Sequence, residues 1–113
     1  MSDIALATTQ LGARRHVGQR LVPGYDCSYP PAIEPGDLLT VDFDVHAVSE
    51  DGLYLVEETG SQGVVWRGCR RFQRTAEGLA MDFSGNMNWR EIDLGATRLR
   101  VAGLVTQVYK PAQ

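Results

Sequence analysis

Ser28 heads the stretch SYPPAIEPGDLLTVD, Ser28 to Asp42, which reads as a proline-rich turn feeding a β-strand. A serine on such a turn is placed like a nucleophile, but its hydroxyl is weak and needs a base beside it. Histidine is the usual base, and the chain has two, His16 and His46. Neither has a visible third residue to orient its ring, so each reads as a surface histidine. Cys27, next to Ser28, would be a substitute nucleophile only if a base lowered its pKa. All but one of the 11 basic residues are arginines, and the exception is Lys110, close to the C-terminus. Codon bias would account for this as readily as function would. The chemical consequence is the same either way: an arginine holds its proton at physiological pH and cannot accept one from a hydroxyl.

Other constellations are weaker. Arg67, Arg70, Arg71 and Arg74 form a basic cluster. On a strand, Arg70 and Arg74 share one face and Arg67 and Arg71 the other, which splits the charge and argues against a single phosphate patch. Asp42 and Asp44 share a strand face, but nothing completes a metal site. No phosphate loop, zinc-ligand spacing or dinucleotide fingerprint is present, so no cofactor is expected. Trp66 and Trp89 read as core or interface residues.

The elements that must position these residues belong to a chain of 113 residues, the size of one small domain. Hydrophobic residues make up 43% and charged residues 22%, ordinary for a globular protein. The net charge of −3 leaves no basic footprint for nucleic acid, and direct DNA binding is not expected. No apolar run reaches the ~20 residues of a membrane span, and the start of the chain lacks a secretory-signal pattern. Cys27 and Cys69 are too few for a disulfide framework and read as small buried thiols of a cytoplasmic protein.

Residues 1–20 are polar and weakly patterned and are read as an N-terminal arm, with Ser2 or Asp3 able to cap a short helix through Gln10. Residues 21–113 are read as the domain. Four of the five prolines fall between 21 and 36, where they impose irregular bends, with Pro30 and Pro31 suited to a first helical turn. From Asp37 the pattern becomes strands: DLLTVDFDV alternates, LYLVEE follows, then VVWRGCRRFQR, LAMDF and TRLRVAGLVTQVYK. SEDG, GSQG and TAEG are the turns between them, and SGNMNWREIDLGA reads as a polar loop. Six or seven short antiparallel strands are expected.

The stretch CSYPPAIEPGDLLTVD resembles the motif DSMEPTIEPGDLLLVD of the self-cleaving domain shared by LexA-type repressors and UmuD-type proteins. DGLYLVE, CRRFQR and LRVAGLVTQVYK resemble later landmarks of that family, in the family's order, so that the likeness covers about residues 21–110. It implies a mainly β, LexA/signal-peptidase-like fold of several coiled antiparallel sheets with short helical turns. It also implies a homodimer, and a setting in phage regulation or the SOS response.

Family members cut themselves with a serine and a lysine, the lysine serving as base because burial lowers its pKa. The resemblance maps the serine onto Ser28 and the lysine onto Arg70. It places Lys110 at the far end of the last strand. The arm has Leu11-Gly12 and Val17-Gly18 but no Ala-Gly or Cys-Gly of the kind the family cleaves. The expectation is therefore a degenerate, non-catalytic peptidase-like domain that dimerises and takes a protein or peptide in a vestigial cleft lined by Asp26, Cys27, Tyr29 and Glu34. Arg70 would extend over the old site and pair with Asp26 or Glu34, and Ser28 would cap the turn at Pro30. The alternative is an active serine autopeptidase or signal-peptidase-like hydrolase using Ser28 with an unanticipated base.

Overall fold

A computed structural model describes residues 18–112, and the arm's expected helix and His16 lie outside them. The chain forms seven strands: β1 (Gln19–Pro23), β2 (Leu38–Asp42), β3 (Gly52–Gly60), β4 (Gly63–Thr75), β5 (Gly78–Asp82), β6 (Trp89–Glu91) and β7 (Leu99–Tyr109). All pairings are antiparallel, in the order β1-β2-β7-β3-β4-β5-β6. Two 3₁₀ turns, Gly24–Asp26 and Leu94–Ala96, are the helical pieces. The fold is mainly β with short helical turns, as expected, and its strands join into one continuous sheet. Among the described residues no helix is long and apolar enough to cross a membrane.

β3 lies in the middle of the sheet, and its residues Leu53 to Glu57 are all buried. Successive strand side chains point to opposite faces, so β3 feeds two cores. Leu53 and Leu55 join Leu39, Val41, Cys69, Cys27, Tyr29 and Ile33 on one face. Tyr54 and Val56 join Val48, Phe72, Met81 and Val101 on the other. There the Tyr54 and Phe72 rings meet edge to face, 5.7 Å apart at 83°. The first core is closed by the proline-rich segment after β1.

β7 carries two irregularities, at Ala102 and Thr106, where its register with β3 and β2 slips by one residue. Such bulges bend a strand and let one sheet curl over two cores. Gly103 sits between them. A Cβ there would collide with Val41 and the Asp42 carbonyl, so glycine is what allows β2 to approach.

The strand expected over Asp37 to Val45 ends at Asp42, where the Asp42 carboxylate accepts a hydrogen bond from the Asp44 amide and turns the chain. β1 begins inside the segment read as an arm, and β6 lies inside the segment read as a polar loop.

Candidate functional site

The loop from Gly24 to Asp37 carries Ser28. Backbone bonds close its base: the Gly24 amide donates to the Asp37 carbonyl at 2.7 Å, and the Cys27 amide donates to the Gly24 carbonyl. Tyr29 and Ile33 exchange two backbone hydrogen bonds of 2.9 Å across a turn containing the cis Pro30-Pro31 bond. Cys27, Tyr29 and Ile33 point into the core, which leaves Ser28 between two buried neighbours and exposed. The turn at Pro30 is thus a backbone bridge, not the helical turn expected there, and the 3₁₀ turn lies upstream at Gly24–Asp26. The expected Ser28 cap does not form: Pro30 and Pro31 have no N–H to donate to its hydroxyl, and the Tyr29 and Ile33 amides pair across the bridge.

Opposite this loop, β4 places Trp66, Gly68 and Arg70 on one face. A Cβ at Gly68 would strike the Trp66 ring, so the glycine lets the indole fold back along the strand. The Arg70 guanidinium carbon then lies 4.9 Å from the Trp66 ring centroid and 5.3 Å from that of Tyr29. Its Nη1 donates to the Cys69 carbonyl at 2.6 Å. A guanidinium stacked on two rings is stabilised by roughly 0.5–2 kcal/mol, more as water is excluded. The fold therefore brings the Ser28 and Arg70 segments together, through Tyr29 against Arg70 and Cys27 beside Cys69.

The expected ion pair of Arg70 with Asp26 or Glu34 does not form. Asp26 lines a shallow cavity with Val64, Val65, Trp66 and Arg67, and Glu34 faces Lys110 at 3.9 Å. The guanidinium lies instead against the Trp66 and Tyr29 rings. His46 lines another cavity, with Phe43, Glu57 and Arg100. Glu57 itself, 5% exposed, is clamped between Arg67 at 2.7 Å and Arg100 at 2.9 Å. Burial pushes its pKa up, but the two guanidinium groups outweigh this and leave it lowered.

Lys110 is not remote from the motif. β2 and β7 pair with Leu38 opposite Tyr109, so the next residue, Lys110, folds onto the loop. Its Nζ donates to Asp37 Oδ2 at 2.5 Å and to the Ala32 carbonyl at 3.0 Å. Asp37 also accepts from the Glu34 amide at 2.8 Å, and with Lys110 as the main cause its pKa is lowered. The antiparallel register of the first and last landmarks was the signal in the sequence that could have revealed this contact.

Asp82 was missed altogether. It is 2% exposed at the end of β5 and accepts from the amides of Asn88 at 2.8 Å, Met87 at 3.2 Å and Ser84 at 3.4 Å. The Tyr29 hydroxyl donates to the Asp82 carbonyl at 3.1 Å. Desolvation raises the Asp82 pKa, but these donors win and it is lowered. The same pairing and burial push Tyr29 up to about 12. Gly85 packs so closely on the Pro30 carbonyl that a Cβ would collide, which locks the loop after β5 to the Ser28 loop. Met87, held at φ 65°, projects into solvent at 80% exposure. The stretch DFSGNMN from Asp82, rich in turn formers, is the local sequence signal.

On the face of the sheet that carries Arg70 lies a cavity of about 260 Å³, lined by buried Val56 and Met81 and by Trp66, Arg70, Phe83 and Glu58. Arg90 stacks on Phe83 at 5.2 Å. Val64 and Val65, also exposed, line the neighbouring cavity that shares Trp66. The arrangement offers rings, aliphatic surface and guanidinium edges to a bound side chain. Among the described residues no group of three or more His, Cys, Asp or Glu is placed to hold a metal ion.

No protein-family model, curated protein or solved structure matches the chain.

Proposed function

We propose that the chain is a non-catalytic, LexA-like module that self-associates and binds a peptide segment of a protein partner in the cleft beside Ser28, in phage or stress-response regulation. The observation that carries this reading is Arg70. At the position where the resemblance puts a lysine base stands a permanent cation, stacked between Trp66 and Tyr29. The chain's single lysine, Lys110, hydrogen-bonds Asp37. A protonated cation cannot take the proton from a serine hydroxyl, whereas guanidinium edges beside an apolar cavity suit a carboxylate or backbone carbonyls of a peptide. The net charge of −3 favours a protein partner over direct contact with DNA. A cytoplasmic setting accords with two unbridged, buried cysteines.

The test has two arms. Sedimentation equilibrium over a wide concentration range should show a monomer–dimer equilibrium. A random peptide library displayed on phage should yield ligands that bind the wild type and lose at least tenfold in affinity against Arg70→Ala. A monomer at every concentration, together with no enrichment above background, would contradict the reading.

A further inference from the structure

The two cysteines of this chain come from distant parts of the sequence, and the fold makes them neighbours. Cys27 closes the 3₁₀ turn ahead of Ser28, and Cys69 lies in β4 opposite Leu55. Both are free, both have 0% exposure, and both belong to the same core cluster. Each thiol is the main cause of the other's shifted pKa, Cys27 being lowered and Cys69 raised. Cys27 also sits within 3.5 Å of the Pro23 carbonyl. Any small apolar pair would fill the same space, but only a dithiol brings redox chemistry to it. Each cysteine immediately precedes one half of the candidate site: Cys27 precedes Ser28, and Cys69 precedes Arg70.

We propose that Cys27 and Cys69 form a reversible disulfide, a redox latch that ties the Ser28 loop to β4 at the residue before Arg70. This inference does not depend on the binding reading above. The oxidant is a small disulfide of the glutathione class. Cys27 reacts first, because it lies in a short turn that opens more readily than the middle of a central strand. Its thiolate attacks one sulfur of oxidised glutathione, forming a mixed disulfide and expelling one glutathione thiolate, which takes up the proton Cys27 lost. The Cys69 sulfur then attacks the Cys27 sulfur, and its proton passes to the second departing glutathione. Two protein thiols become one disulfide, and one glutathione disulfide becomes two thiols. The closed latch restricts the unfolded chain and raises the thermal midpoint. It also fixes the backbone on which Tyr29 and Arg70 depend.

The test uses the whole chain. The reduced protein is incubated with oxidised glutathione at mildly alkaline pH, quenched, unfolded and alkylated, then weighed by mass spectrometry and digested. The expected result is a monomer lighter by two hydrogens, with neither cysteine alkylated, a Cys27–Cys69 linked peptide, and a thermal midpoint several degrees higher that dithiothreitol reverses. Cys69→Ser should stop at the glutathione adduct on Cys27 and lose the gain in midpoint. Two alkylated cysteines after unfolding, stable glutathione adducts in the wild type, or a disulfide between chains would each overturn the proposal. The comparison of oxidised with reduced wild type needs no variant to fold.

Discussion

Two buried aspartates hold the candidate site from opposite ends, and they do it by different means. Asp37 is neutralised by a full cation, the Lys110 ammonium, which itself is half-exposed at 48%. Asp82 is held by three backbone amides and stands beside the Tyr29 hydroxyl, all neutral dipoles. The Asp37 end fixes the base of the loop, whereas the Asp82 end shapes the surface, because it sets Met87 and locks the loop after β5 against Pro30. A flexible lysine reaching over from a strand end can be replaced by water. A nest of amides around a desolvated carboxylate cannot be rebuilt without it.

The comparison predicts that Asp82→Ala has the largest effect. It leaves three amides without an acceptor and should lower unfolding stability by about 2–3 kcal/mol in urea titration. Amide exchange of Ser84 to Asn88 should accelerate far more than that of Glu34. If the loss is under half a kcal/mol, the amides are served by water and the contrast between the ends fails.

The pH dependence comes next. Asp37, Asp82 and Glu57 all have folded pKa values below their unfolded ones. The unfolded chain therefore binds more protons in acid. The stability these groups contribute is complete above the unfolded value near ~4 and is lost as pH falls through the lower folded values. Unfolding stability should be flat near neutrality and drop below about pH 4. Asp82→Asn should flatten part of that drop, and a wild-type curve that stays level in acid would contradict the assignment.

Tyr29→Phe removes one hydroxyl donor but keeps the ring under Arg70, and should cost about 1 kcal/mol in the same urea titration. Lys110→Met should have the smallest effect, a shift of a degree or two in thermal midpoint, because the lysine is half-exposed and screened. A loss from Lys110→Met larger than that from Asp82→Ala would reverse the ranking.

Much of the sheet was legible, because alternation is a local signal: Leu39 and Val41 against Thr40 and Asp42 announce β2 before any partner is known. β1 was obscured by the prolines that follow it, and β6 by Asn and Gly on either side of three residues. The site was legible in part. Ser28 and Arg70 could be named from the resemblance, but not the rings that hold Arg70. Tyr29 reaches it only because Cys27 and Ile33 bury their side chains and turn the loop inward. Lys110 and Asp37 meet through the register of β2 with β7, and the turn formers after Asp82 mark its loop but not the amides it binds.

We propose that Ser28 has no working base. Its most direct test is the intact mass of the purified chain after prolonged incubation at alkaline pH, where a serine–lysine pair would gain its neutral amine. The account predicts a single unchanged mass for the wild type and for Ser28→Ala alike. Release of an N-terminal fragment from the wild type, abolished in Ser28→Ala, would contradict it.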